Sequence, residues 1–191
     1  MIDILTVGWS ALQEFLKINR EEFKLAVHAH RAFHAAFTRD RRHGVSMKVV
    51  AEAARLAGVD HLHIGTVVGK LETPLQEIIA LNNILTKQKV KECFRRKLLE
   101  KNWLDLKPVM PVSSGGLHPG IIGEVLNILG RNIMIQVGGG VMGHPDGPLS
   151  GARAVRQALE ALEMGITLEK YAETHVELRR ALERWGYAHP V

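Results

Sequence analysis

The chain has 191 residues, 46% of them hydrophobic, enough to bury one sizeable core, so a single domain over residues 1–191 is expected. Its 25 lysines and arginines exceed its 20 aspartates and glutamates by a net charge of +5, which suits a phosphorylated substrate. With 5% aromatic residues, and basic runs at 39–42 and 87–101 that mix with acids or follow helical spacing, solvated helix faces are a better account of that charge than a nucleic-acid surface. No apolar run approaches bilayer-spanning length and no basic leader follows Met1, so no membrane partner is expected and the cytoplasm is the expected compartment. Cys93 stands alone in a stretch read as helical, without a disulfide mate or a metal-ligand spacing.

In chain order, short β-branched runs alternate with segments of helical spacing. Strands are predicted at 2–7, 24–30, 61–66, 108–112 and 133–137. Helices are predicted at 11–18, 47–57, 75–85 with a continuation to about 100, 121–129, 152–164 and 168–185. Residues 102–107 read only as a loop entering the fourth strand. Five consecutive β/α units with nearly continuous apolar strands predict an α/β fold with a parallel sheet covered on both faces. Polar residues gather at or just beyond the carboxyl ends of successive strands, and that spread along one rim favours barrel geometry over an open sheet.

The rim carries the chemistry. In HAHRAFH (28–34), His28 and His30 share one side of a strand, and Arg31 can grip a phosphate in a forked contact. Histidine moves protons near neutral pH, whereas His34 reads as a satisfied buried ring. In HLHIGTVVGKLE (61–72), His61 and His63 share one face, and His63 is nearer the carboxyl end and the better ligand contact. Gly65 and Gly69 bracket a segment able to swing Lys70 over a ligand as a lid. The two histidine pairs offer imidazoles to a metal, but without a third ligand at a telling spacing zinc has little support. Two glycine clusters, 113–120 and 137–148, follow strands and lead towards helices, a pattern that lets backbone amides approach phosphate.

Together these segments closely resemble the large subunit of ribulose-1,5-bisphosphate carboxylase/oxygenase, over essentially the whole chain. HAHRAFH resembles the family's fifth barrel strand, DHLHIGTVVGKLE its sixth strand and mobile lid, MPVSSGGLHPG its seventh strand, and IQVGGGVMGHPDG its eighth strand and phosphate loop. MIDILTVGWSALQ resembles the fourth strand, and SGGLHPG with GHPDGP is most similar to the archaeal form III enzymes. The resemblance implies a partial (β/α)8 TIM barrel comprising strands four to eight, their helices and carboxy-terminal helices. It further implies that His30 transfers protons beside an enediolate and that Lys70 stabilises the carboxylation transition state. Arg31, His63 and Ser114 would hold one phosphate of ribulose-1,5-bisphosphate. Gly115, Gly116, Gln136, Val137, Gly138 and Gly139 would surround the substrate, with glycine-loop amides taking the other phosphate.

The same resemblance implies that the chain starts at the fourth strand, without the amino-terminal domain, the first three strands, or the carbamylated lysine, aspartate and glutamate that bind Mg2+ in the family. The expected activity is magnesium-dependent carboxylation giving two 3-phosphoglycerates, with a form III role in nucleotide (AMP) salvage. The chain is expected to be inactive alone and to self-associate or pair with a complementary amino-terminal fragment, because an opened barrel exposes unpaired strand edges. Two other readings stand beside this one: a non-catalytic phosphate-binding or assembly half-barrel, and an enolase or isomerase of the same superfamily.

Overall fold

A computed structural model describes residues 1–40, 42–68 and 73–189. The chain divides into two compact units, Met1–Ile64 with Pro74–Val112, and Gly65–Thr73 with Ser113–Val191.

The first unit begins with β1 (Ile2–Asp3), α1 (Ile4–Val7) and α2 (Trp9–Ile18). It continues through β2 (His28–His30), α3 (Ala35–Thr38), α4 (Met47–Ala57) and β3 (His61–Gly65). After α5 (Leu75–Thr86), β4 (Lys89–Val90) and β5 (Lys101–Asn102) pair antiparallel, and β6 (Met110–Ser114) follows. Strands β1, β2, β3 and β6 neighbour one another in that order. The pairs β1–β2 and β2–β3 are parallel, with Asp3 opposite His30, His28 opposite His61 and Ala29 opposite Leu62. The Asp60 side chain and the Val27 carbonyl pin this register: Asp60 Oδ2 accepts from the Val27 amide at 2.7 Å, while Val27 O accepts from the amides of Asp60 and His61.

Helices cover one face of these strands for ordinary reasons of apolar spacing. In α4, Met47, Val50, Ala51 and Ala54 form a buried stripe, with Ser46 capping the first turn and Gly58 closing the last at φ 93°. Ile78, Leu81, Ile84 and Leu85 of α5 are fully buried, as are Ala29 and Leu62 of the strands.

Several predicted boundaries move. The first strand stops at Asp3 because Ile4–Val7 turns helical, with Ile4 as its buried anchor. The predicted continuation of the third helix to about residue 100 does not form. Arg55, 1% exposed, donates through Nη1 to the carbonyls of Ile84, Leu85 and Lys87 at 2.7–3.0 Å, taking acceptors a longer helix would use for its own amides. Its Nη2 reaches Gln88 Oε1 and Leu106 O, and the guanidinium lies 4.7 Å from the Trp103 ring centre. Gln88 in turn donates to the carbonyls of Leu104 and Leu106, so residues 102–107 are a strapped turn. Cys93 therefore sits in a bridge with Leu98, not on a helix.

The second unit holds the last two residues of β6, which neighbours β7 (Met134–Gln136). It also contains α6 (Ile122–Leu129), α7 (Gly139–Met142), α8 (Gly147–Met164), α9 (Leu168–Ala172) and α10 (Val176–Trp185). Helix α8 begins five residues before its predicted start at 152 and presents Gly151, Ala154, Ala158 and Ala161 as a buried small-residue stripe. A Cβ at Gly151 would stand 2.1 Å from Val141 O, so glycine is what lets α7 lie against α8. The predicted helix over 168–185 breaks into α9 and α10 because Thr174 and His175 both bond back to the Tyr171 carbonyl and His175 is extended. Gln157 then caps α10, accepting from the Leu178 amide at 2.9 Å.

Replacing Arg55 by Met should cost about 3 kcal/mol, since it strands several carbonyl oxygens that the guanidinium now satisfies. Urea denaturation measures the loss, and hydrogen exchange should show residues 89–102 losing protection first.

Candidate functional site

The pleat explains why imidazoles collect in the first unit. Successive strand residues face opposite ways, so burying Ala29 and Leu62 beneath the helices turns His28, His30, His61 and His63 to the other face. There the His28 and His63 Nε2 atoms are 2.7 Å apart, a hydrogen bond in which one ring donates and the other accepts. The His63 ring meets those of His28 and His30 edge to face, each at 4.8 Å between centres, and His61 lies 5.6 Å from His28. The His30 Nδ1 is 2.5 Å from Asp3 Oδ1.

Burial sets the charge of this cluster. His63 is 4% exposed, and desolvation, followed by the charges of His30, His28 and Arg31, pushes its pKa down to about 4. His28 is lowered as well, first by burial and then by His61. Arg31 is 6% exposed; burial lowers its pKa while Glu77 opposes the shift, and a guanidinium keeps its charge under either influence. At neutral pH Arg31 therefore carries a positive charge, while His63 is a neutral hydrogen-bonding group. His34 is half-buried, bonds Thr38 Oγ1 through Nδ1 at 2.9 Å, and is held at about 4 by burial and by Arg31. An apolar cavity of about 390 Å³, lined by Leu5, Trp9, Phe37, Val45, Val49 and Val50 among others, contains none of the imidazoles.

In the second unit, Ser114 is half-buried at the end of β6, and Gly115 and Gly116 adopt φ of 120° and 71°, conformations that demand glycine. Gln136, Gly138 and Gly139 are exposed and Val137 is half-buried. No described atom lies within 4 Å of a Cβ built on Gly138 or Gly139, so a side chain at either position would meet open space. The steric demand falls on Gly140, which sequence reasoning did not single out: its Cβ would stand 2.4 Å from Leu117 O and 2.7 Å from His118 Cα. Its signal was the third consecutive glycine. His118, buried and stacked on Trp185, donates from Nε2 to the Ala188 carbonyl at 2.9 Å.

Lys70, together with Gly69, lies outside the described residues. His30, Arg31 and His63 are brought together in the first unit; Ser114, Gly115, Gly116, Gln136, Val137, Gly138 and Gly139 belong to the second. Asp3 was missed as a site residue, and His28 was placed on the rim but given no role there. Among the described residues no group of three or more His, Cys, Asp or Glu side chains could hold a metal ion. Magnesium takes oxygen ligands in octahedral array, whereas this cluster offers imidazoles and one carboxylate already bonded to His30, so it does not fit that ion.

Gly140→Ala should destabilise the second unit by several kcal/mol, whereas Gly138→Ala should change stability by less than about 1 kcal/mol, as thermal denaturation of the two variants would show. For His63 the unfolded ring titrates near 6.5 and the folded one near 4, so the unfolded state takes up its proton first as pH falls. Stability from this ring should be complete above about pH 6.5 and drain away down to about pH 4, by a total on the order of 3 kcal/mol. Urea midpoints across that range, with NMR titration of the His63 ring, check both the direction and the window.

A family model described as the catalytic domain of the ribulose bisphosphate carboxylase large chain matches residues 1–185. The ribulose bisphosphate carboxylase of Pyrococcus abyssi is 47% identical over 190 residues, covering 100% of this chain and 41% of its own length. That of Methanocaldococcus jannaschii is 50% identical over 185 residues, covering 97% and 43%. Among solved structures, an archaeal ribulose 1,5-bisphosphate carboxylase/oxygenase superposes with a TM-score of 0.91 at 46% identity, covering 100% of this chain and 44% of that one. The dimeric archaeal Rubisco of Hyperthermus butylicus gives 0.89 at 53% identity, with 98% and 43% covered, and the octameric enzyme of Pyrococcus horikoshii gives 0.84 at 45%, with 97% and 41% covered. The chain thus spans less than half the length of these relatives, and its α/β fold is part of a (β/α)8 barrel. On a match that runs from the first strand through the last helix, the chain belongs to the ribulose bisphosphate carboxylase large-chain family.

Proposed function

We propose that this chain supplies strands four to eight of a ribulose-1,5-bisphosphate carboxylase and acts as part of a larger assembly, adding carbon dioxide to an enediolate to give two 3-phosphoglycerates. The single observation that carries the reading is the match to the carboxylase catalytic domain over residues 1–185, at identities near one half. The placement of the imidazoles and of Arg31 supports it. His30 is assigned the proton transfer beside the enediolate, and Arg31 with His63 and Ser114 one phosphate. In that role the buried Arg31 guanidinium supplies the charge and the neutral His63 a hydrogen bond. The amides of Gly138 and Gly139, with Gly115, Gly116, Gln136 and Val137, are assigned the remainder of the substrate, and Lys70 the developing carboxylate.

Magnesium is assigned to ligands supplied by the remainder of such an assembly, since the described residues do not fit it. The partner is a complementary amino-terminal fragment or a second copy. Strand β1 ends the strand order, and among the described residues its outer edge pairs with no strand, which leaves backbone groups able to accept one. A form III role in nucleotide salvage is assigned on the resemblance of SGGLHPG and GHPDGP to that form.

The decisive measurement is incorporation of labelled bicarbonate into 3-phosphoglycerate by the chain alone and after mixing with an amino-terminal fragment of a relative. The expected outcome is no product alone, magnesium-dependent product after mixing, and a Lys70→Ala variant that keeps bisphosphate binding while turnover falls about 10²-fold. Bisphosphate binding without product in any mixture would favour the phosphate-binding half-barrel, and proton exchange without label incorporation an enolase.

A further inference from the structure

Resting on the assignment of proton transfer to His30, we propose that Asp3 is its positioning residue, fixing the proton on Nδ1 so that Nε2 presents a lone pair to the substrate. The parallel register sets Asp3 directly opposite His30 across β1 and β2, and the two side chains meet at 2.5 Å, Oδ1 to Nδ1. A carboxylate only accepts, so the hydrogen in that bond sits on the ring's Nδ1. In a neutral imidazole the other nitrogen then holds the lone pair, and the bond also stops the ring from turning about χ2. On the other side the His63 ring meets His30 edge to face at 4.8 Å, closing the second direction of rotation.

A purely structural role explains this pair poorly. The His30 and Asp3 side chains are 38% and 42% exposed, and pairs that open to water contribute little stability, about 1 kcal/mol at most. What the contact does supply is direction: a base must present its lone pair where the proton leaves, and an imidazole in the other tautomer presents an N–H there instead.

The test reads the tautomer without substrate, by long-range proton–nitrogen NMR of the chain carrying nitrogen-15 histidine. In the wild-type chain the neutral His30 ring should show a protonated Nδ1 and an unprotonated Nε2, and Asp3→Ala should shift the proton to Nε2 in most molecules. A wild-type His30 protonated on Nε2 overturns the proposal, as does an Asp3→Ala ring that keeps its proton on Nδ1. If Asp3→Ala loosens β1, the wild-type spectrum decides alone. In an assembly that turns over, Asp3→Ala should lower kcat on the order of 10²-fold with KM within about twofold, and an equal loss in both overturns the positioning role. A chain that never incorporates bicarbonate yet holds its proton on Nδ1 removes the carboxylase reading and upholds the contact between Asp3 and His30.

Discussion

The parallel register of β1, β2 and β3 is the constraint on which the candidate site depends. Asp3 stands opposite His30 and His28 opposite His61, and a slip of one residue would turn every imidazole into the helix layer and bring Ala29 and Leu62 out. Such a slip is resisted chiefly by burial of the small and branched residues on the far face, Ala29, Leu62 and Ile64. Asp60 and Val27 add a local clasp at the entry to the pair. The imidazole face is thus held in place by the apolar one.

Arg55 does the comparable work in the helix layer. One buried guanidinium ends α5, anchors the excursion through β4 and β5, and lies against Trp103, so three segments distant in sequence share a single charge. A buried cation is tolerable there because carbonyl oxygens from several directions replace its water. In the second unit the corresponding device is the absence of side chains. Gly140 and Gly151 admit backbone oxygens to distances that no Cβ permits, which fixes α7 against Leu117 and His118 on one side and against α8 on the other.

Much of this was legible in the sequence because it rests on period and punctuation. Met47–Ala57 forms a helix over the span its apolar spacing predicts, and β3 occupies all but the last residue of its predicted run. The order of histidine strands and glycine loops was sufficient to identify the family resemblance. What escaped was set by particular hydrogen bonds that apolar spacing does not encode. The stop at Thr86 depends on an arginine 31 positions earlier, and the break at Thr174 and His175 on bonds back to Tyr171. Asp3 became visible only once the register placed it beside His30, since neither residue carries any local sign of the other.

The electrostatics of the first unit follow from the same packing. Histidines crowded on one face would repel one another if all were protonated, and the outcome depends on which is most deeply buried. His63, under the cluster and bonded to His28, is held neutral to about pH 4, and His28 is shifted the same way. Arg31 cannot yield its proton, so the permanent charge settles there. A phosphate placed against this face would meet a fixed cation at Arg31 and a neutral hydrogen-bonding ring at His63. The second ionisation of a phosphate falls close to pH 6, so the doubly charged form is the one that Arg31 would favour.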